Sequence, residues 1–292
     1  MTKEIIGLPT GFKKIDEKLG GLRKGEVVVI ASRPSVGKTA LAMNIAECLS
    51  LGRDINGVPF AGRNEGKHAV LYFSLEMPSA SIARRMLYSR AHVNAWHLER
   101  DIIDEAEKTT VEVAISHGAE AFKQALLYVD DTPALDIDDL YQDAVRAKGE
   151  KGIELVIIDY LQLCEGKAAA KQGRLEEMAY ISNRIKTMAK ELMVPVVVLV
   201  QLPKRIVKEG EPKQYNEPKL SDLRDAAAIE ESADVVLLLY RPSYRPSPYC
   251  ESSEEAANEN LAILNVVKNR HGETGQFNMT FSREFMRFGN AI

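Results

Sequence analysis

The sequence predicts an α/β domain with a mostly parallel central sheet, helices on both faces and an antiparallel extension at its C-terminal edge. Three observations predict it. Six short runs are apolar and rich in β-branched residues, as strands buried on both faces tend to be. Helix patterns lie between these runs, and that alternation favours parallel pairing. The final stretch reads instead as strands joined by a short turn.

Each element follows in order along the chain. EVVVIAS (26–32) is the first strand. It leads through ASRPSVGKTA (31–40) into the helix pattern TALAMNIAECLS, with Leu41, Ile45 and Leu49 at four-residue steps. GRDINGVPFAGRNEGK (52–67) is a loop rich in Gly and Asn. HAVLYFSL (68–75) is the second strand, and SASIARRMLYSRA then places Ile82, Met86 and Leu87 on one side of a helix. ALLYVDD (125–131) and ELVIIDY (154–160) are further strands. EGKAAAKQG (165–173) reads as a loop. RLEEMAYISNRIKTMAKEL carries a stripe of Leu175, Met178, Ile181, Ile185, Met188 and Leu192. VPVVVLVQL (194–202) and ADVVLLLY (233–240) complete the six strands. The segment 242–260 is rich in Pro and Ser and then acidic, so it reads as a loop. LAILNVVKNR, GQFNMTF and FMRF form the extension, turning at HGET. The strand–helix pattern resumes after every loop, so 1–292 reads as one domain.

Composition narrows the function classes. At 292 residues and 45% apolar, the chain can bury a sizeable core. No apolar run approaches the roughly 18 residues of a membrane span. The start, MTKEIIGLPTGF, lacks a signal-peptide stretch. Cys48, Cys164 and Cys250 are too few and too widely spaced for a disulfide framework or a metal motif, which points to a reducing cytoplasm. His68, His92, His97 and His117 show no ligand spacing either. The net charge of −4 means that nucleic acid would have to bind a local basic surface rather than the global field.

ASRPSVGKTA ends like a phosphate-binding loop, although Ser32 stands where the usual pattern has glycine. A strand leads in and a helix begins at Gly37-Lys38-Thr39. That geometry aims free backbone N–H groups and the positive helix end at an anion. Gly37 permits close approach of the backbone, Lys38 reaches the β- and γ-phosphates, and Thr39 holds Mg²⁺. Pro34 stiffens the turn. A lone GKT is a weak signal, and its strand-and-helix context strengthens it.

Two acids fit this loop. Asp159 closes an apolar strand, at the carboxyl end where open α/β sheets bind ligands, and can hold the Mg²⁺ water shell. A strand-end aspartate also serves as a turn or cap residue. Tyr160 and Leu161 follow it, so the water-activating base must come from elsewhere. Glu76 ends the strand at HAVLYFSLEMP. If that strand neighbours the phosphate-loop strand, Glu76 faces the γ-phosphate as a base worth about 10²–10⁴-fold. Its other reading is an acid favoured at a helix N-terminus.

SRPSVGKTALAMN, FSLEMPSASIARRML, VIIDYLQL and LSDLRDAAAIEESADVVLLLYR occur in the order found in DnaB-type replicative DNA helicases. GLPTGFKKIDEKLGGLRKGE and VVKNRHG match too. From about Gly7 to Phe288 the chain resembles that family's C-terminal ATPase domain, a RecA-like P-loop fold. The family's loop reads ARPSMGKT, so the absent glycine is a family trait and Ser32 and Val36 are slight departures. The resemblance implies ATP and Mg²⁺ as cofactors. It implies nucleotide contacts from Ser32, Arg33, Pro34, Ser35, Val36, Gly37, Lys38, Thr39 and Ala40. Thr39 and Asp159 would hold the metal, and Glu76 would be the base. Arg85 would support the nucleotide, and Gln201 would sense the γ-phosphate. Lys268, Asn269 and Arg270 would reach the neighbouring subunit's ATP. Lys268 and Arg270 alternate along a strand and so share a face. An arginine finger acting in trans is worth about 10³–10⁵-fold. His271 replaces the family's usual Asn.

The resemblance also implies single-stranded DNA threading a homo-hexameric ring with 5′→3′ polarity. Arg224, Asp225 and Ala227 match positions that touch DNA phosphates, where typical members have Glu and Gly at the last two. Ala227 disfavours the positive φ that Gly would allow. Lys204, Arg205, Lys208 and Lys213 lie upstream, and Lys167, Lys171 and Arg174 in another loop. Charge runs are usually solvated faces, and only Lys204 and Arg205 join the candidate contacts. No aromatic interleaves them, so backbone electrostatics rather than base stacking would dominate.

The family's primase-binding N-terminal helical domain is expected to be absent from this chain, which is then a shortened or naturally short form that assembles weakly alone. Primase and a helicase loader are implied for a full-length protein, in a bacterial or phage-infected cell. Two rivals stand. A RecA/RadA-type recombination or repair ATPase shares the fold and lacks SDLRDAAAIEESAD and DYLQL. A non-hydrolysing ATP-binding clamp is disfavoured by intact Lys38, Glu76, Asp159 and Arg270.

Overall fold

Six strands lie side by side and parallel in the computed structural model, which describes residues 5–62, 65–100, 102, 105–203, 217–242 and 259–290. They are β1 (Val27–Ser32), β2 (Val70–Ser74), β3 (Leu127–Asp130), β4 (Leu155–Asp159), β5 (Val196–Gln201) and β6 (Val235–Tyr240). Three antiparallel strands continue the sheet beyond β6: β7 (Leu261–Asn269), β8 (Gly275–Ser282) and β9 (Arg287–Asn290). The full order is β3-β2-β4-β5-β1-β6-β7-β8-β9. This is the expected mostly parallel sheet with an antiparallel C-terminal extension. Each expected strand is present, within two residues at most ends.

Period-two alternation divides the core. Val28 and Ile30 of β1 pack on one face with Leu41, Ile45 and Leu49 of α2 (Lys38–Leu51) and with Ile82 and Met86 of α3 (Ser79–Ala91). Val27, Val29 and Ala31 face the other way, toward Ile137 and Leu140 of α6 (Ile137–Lys151) and Ile181, Ile185 and Met188 of α7 (Arg174–Leu192). Strands covered on both faces carry no polar alternation, which is why these runs are continuously apolar. Leu175 is a correction to the α7 stripe. It is 67% exposed, because the first turn of α7 projects into solvent before the helix reaches the sheet.

Helices α1 (Lys13–Leu19), α4 (Ala95–Glu99), α5 (Glu105–Lys123) and α8 (Ala227–Ser232) complete the described set, and α5 packs on α3. Among the described residues, no helix is long and apolar enough to cross a membrane.

The extension is tied to α2 by charge as well as by packing. Glu47 of α2 is 2% exposed and lies between two guanidiniums. Arg90 of α3 reaches its Oε1 at 3.0 Å. Arg287 of β9 grips both oxygens, at 3.0 and 3.2 Å. Such a forked pair fixes orientation, and a buried carboxylate requires partners of this kind. Arg287 also donates to the Ile55 carbonyl at 3.1 Å, and Ile55 N–H donates to Gly11 O at 3.1 Å. The first half of the 52–67 loop is thereby pinned to both the N-terminal segment and the last strand. Gly52 opens that loop at φ +68, and a Cβ there would stand 2.3 Å from the Gly66 carbonyl oxygen.

Asp16 of α1 is buried and accepts from Thr10 N–H at 2.7 Å and Thr10 Oγ at 2.8 Å. Burial outweighs those bonds and lifts its carboxyl to about 7. The unfolded chain loses this proton near 3.8, whereas the folded chain keeps it to about 7. Stability from this group is therefore complete below the unfolded value and falls as pH rises through the window. Asp16→Asn keeps the acceptor and removes the charge. Its urea-unfolding free energy should match the wild type near pH 3 and exceed it at pH 8 by an amount on the order of a few kcal/mol. Equal differences at both pH values would rule out this origin.

Candidate nucleotide site

Parallel strands deliver their carboxyl ends to one edge, and register determines which residues meet there. Ser32 of β1 pairs with Gln201 of β5, and Ser74 of β2 pairs with Asp159 of β4. β2 does not neighbour β1, because β5 and β4 lie between them. The condition attached to Glu76, that its strand neighbour β1, therefore fails. Leu75 N–H donates to the Asp159 carbonyl at 2.9 Å, so the chain leaving β2 is fastened to the end of β4 with exposed Glu76 next.

Lys38 opens α2, and its Nζ lies 3.1 Å from Asp159 Oδ1. Both side chains are buried, at 8% and 3% exposure. Tyr72 of β2 donates its hydroxyl to the other oxygen, Asp159 Oδ2, at 2.8 Å. Burial, then the Asp159 charge, pushes the Tyr72 phenol well above its ordinary value, so it remains a donor. The Asp159–Tyr160 peptide bond is cis, and the Tyr160 ring lies 4.8 Å from Lys38 Nζ. Burial raises the Tyr160 phenol, with the charges of Glu76 and then Asp159 adding to it. Arg85, exposed on α3, acts on Tyr72 in the opposite sense.

Two residues of the loop have positive φ. Gly37 has φ +119 and Ser35 φ +61, with Ser35 exposed. A Cβ on Gly37 would approach Phe288 of β9 to 3.2 Å, so the positive φ favours glycine and the space beside it is tight. Val36 and Ala40 are buried beneath the loop, while Pro34 and Thr39 are half-buried. The first N–H groups of α2 have no intrahelical acceptor and are available to an anion.

Ser32 and Arg33 depart from the nucleotide contacts that the resemblance implies. Ser32 is fully buried, and its hydroxyl donates to the Arg33 carbonyl at 3.0 Å. The Arg33 guanidinium turns to the Pro203 carbonyl and to Asp222. Asp222 lies in a 3-10 turn, Leu220–Ala226.

Lys268, Asn269 and Arg270 are not at this edge. Val235 of β6 pairs with both Val28 and Asn269. From Val28 to Ser32 is about 13 Å of strand, so these residues lie toward the opposite end of the sheet. Lys268 Nζ donates to Glu230 O at 2.6 Å, and Arg270 Nη2 to Glu231 O at 2.9 Å, so the two share the face expected of them. Arg270 also reaches Asp234 Oδ1 at 3.3 Å. Asn269 closes the following turn through Glu273 O and His271 N–H, a local role for a residue expected to contact nucleotide.

Gln162 is a site residue that sequence reading missed as such. Its amide bonds both backbone groups of Gln201, accepting from N–H at 3.2 Å and donating to O at 2.8 Å. It extends the β4–β5 pairing past the end of the ladder. The signal was its place in DYLQL. Tyr72 was missed because an internal strand tyrosine reads as core.

Lys204 and Arg205 lie outside the described residues, as do the side chains of Arg224 and Asp225. Ala227 is exposed at the start of α8 with φ −56, so no positive φ is needed there. Among the described residues, no group of three or more His, Cys, Asp or Glu forms a metal cage. The donor set, Thr39 beside Lys38 and the buried Asp159, fits Mg²⁺ that keeps several waters and phosphate oxygens instead.

Tyr72→Phe should lower the unfolding free energy by about 2 kcal/mol through the lost bond to Asp159. In an Asp159→Asn background the same change should cost clearly less. Additive losses in urea titration would show that the two do not interact.

The model of the DnaB-like helicase C terminal domain family matches residues 7–290. The replicative DNA helicase DnaB of Geobacillus stearothermophilus is 34% identical over 287 residues, which is 98% of this chain and 57% of that protein. The replicative DNA helicase DnaC of Bacillus subtilis is 32% identical, with coverage of 98% and 57%. The chain thus spans little more than half the length of these relatives. Among solved structures, a DnaB-like replicative helicase, solved in a study of its interactions with primase, superposes with a TM-score of 0.81 at 28% identity, over 100% of this chain and 65% of that one. A separately solved ATPase domain gives 0.80 at 28% identity, over 99% and 93%. The matched segment contains the whole described sheet, from the phosphate loop to β9, and this chain belongs to the DnaB-like helicase C-terminal domain family.

Proposed function

We propose that this chain is an ATP-hydrolysing motor of a replicative DNA helicase, completing each nucleotide site between two subunits of a homo-hexameric ring and moving on single-stranded DNA. The observation that carries it is the division of the sheet. Lys38 and Asp159 lie at the carboxyl ends of the parallel strands, and Lys268 and Arg270 toward the other end. A cation that cannot reach its own site can serve the next subunit's in a head-to-tail assembly, and such contacts close into rings. The family relationship favours this reading over a recombination ATPase.

Lys38 exchanges Asp159 for the β- and γ-phosphates as nucleotide enters, which frees Asp159 Oδ1. The N–H groups of Gly37 to Ala40 cradle the phosphate oxygens. Thr39 and Asp159 would hold Mg²⁺, which neutralises phosphate charge. Glu76 accepts a proton from the attacking water, and Arg270 of the adjacent subunit stabilises charge on the transferring group. Gln201, fixed by Gln162, reports the phosphate state. Lys204, Arg205, Arg224, Asp225 and Ala227 carry the DNA contacts. The 5′→3′ polarity, a primase and a loader as partners, and a bacterial cytoplasmic setting belong to the same proposal and rest on the family.

Glu76→Gln should retain nucleotide binding and lose about 10²–10⁴-fold in DNA-stimulated turnover. Unchanged turnover would remove Glu76 as the base. Arg270→Ala and Lys38→Ala subunits, each inactive alone, should regain activity when mixed. Mixed rings without recovery at any ratio would sink the trans assignment.

A further inference from the structure

Arg33 belongs to the phosphate loop, yet its guanidinium is turned to two other segments of the chain. Nη1 donates to the Pro203 carbonyl. Nη2 pairs with Asp222 Oδ2 at 3.2 Å, with the arginine side chain 9% exposed. The same oxygen accepts Lys219 N–H at 3.0 Å, so the atom that holds Arg33 also starts the 3-10 turn Leu220–Ala226. Beside it, Leu202 N–H donates to the Ser32 carbonyl at 2.8 Å. The chain leaving β5 is therefore held by Gln162 from one side and by the phosphate loop from the other.

Sequence order gives this contact its significance. Pro203 immediately precedes Lys204 and Arg205, and Asp222 lies just before the stretch containing Arg224 and Asp225. Pro203 and Asp222, the described residues next to the stretches proposed to contact DNA, are thus both held by one side chain of the phosphate loop. A planar guanidinium holding a carbonyl and a carboxylate together transmits orientation, which a single-point ammonium does not.

We propose that Arg33 is a positioning residue that couples nucleotide occupancy to single-stranded DNA affinity. It holds Pro203 and Asp222 in register with the phosphate loop, so a shift of that loop alters the presentation of both DNA segments. This rests on the function proposed above. The distinguishing property is energetic coupling between two ligands rather than affinity for either. A phosphate-binding Arg33 would act on nucleotide alone, and a structural prop would act on stability alone.

Anisotropy of a fluorescein-labelled oligo-dT, titrated with and without ADP–beryllium fluoride, measures the coupling. Fluorescent mant-ADP titrated without DNA measures the nucleotide site. The two nucleotide states of the wild type should differ in DNA affinity by about 5–150-fold. In Arg33→Gln and in Asp222→Asn that ratio should fall to within about threefold of unity, with mant-ADP affinity changed by less than about threefold. The double variant should be no worse than either single one, because both break the Arg33–Asp222 contact on which the coupling depends. Arg33→Lys, which keeps the charge and loses the fork, should fall between. Asp222→Asn carries the test if Arg33→Gln does not fold. A preserved ratio with mant-ADP affinity lost tenfold or more would overturn the proposal in favour of a phosphate ligand. A preserved ratio with lowered thermal stability would overturn it in favour of a prop. Wild-type protein that binds no single-stranded DNA in either state would overturn the motor reading itself, and this proposal with it.

Discussion

A buried lysine facing a buried aspartate, 3.1 Å apart, is the constraint around which the nucleotide edge is built. Removing two opposite charges from water costs several kcal/mol per ion, and mutual attraction offsets this only in fixed geometry. Fixing Lys38 fixes the start of α2 and hence the loop leaving β1. Fixing Asp159 fixes the end of β4. Tyr72 closes the remaining carboxylate oxygen from β2, and Gln162 locks β5 between them. Four strand ends are thus tied to one ion pair. In the function proposed above, such a pair is also a switch, because an incoming phosphate would compete with the aspartate for the same ammonium.

The same strands carry the opposite consequence at their other end. Asp234, just before β6, accepts Val27 N–H at 2.8 Å and Lys186 Nζ at 2.5 Å, and it reaches Arg270. Lys268 and Arg270 rest on the last carbonyls of α8, where cations complement the helix dipole. Burial lowers the Lys268 ammonium, with Arg270 next to it adding to the effect. Two like charges held close together are cheaper with an anion nearby.

Much of this was readable in the chain. The six parallel strands were visible because burial on both faces leaves unbroken apolar runs, and SVGKT between a strand and a helix marked the loop. Strand order was not visible. Nothing in HAVLYFSL says that β4 and β5 lie between it and β1, since crossovers are set by tertiary packing. Asp159 was found because an acid ending an apolar run is conspicuous, whereas its partner Tyr72 is camouflaged as core. Arg33 was placed at the nucleotide because of its neighbours in sequence. Its side chain answers instead to Pro203 and Asp222, from segments far along the chain. Local pattern identifies residue types at a site, and long-range contact decides what each one touches.

Phe288 packs against the loop that Gly37 shapes, and Arg287 beside it clamps α2 through Glu47. The nucleotide loop, early in the domain, is therefore supported from below by the domain's last strand. A ribosome releases a polypeptide from its N-terminus, so the phosphate loop emerges long before the strand that braces it. Until β9 is released, Glu47 of α2 has only Arg90 as its ionic partner and the loop lacks its aromatic floor. A nascent or prematurely terminated chain would carry the phosphate-loop sequence without the strand that seats it.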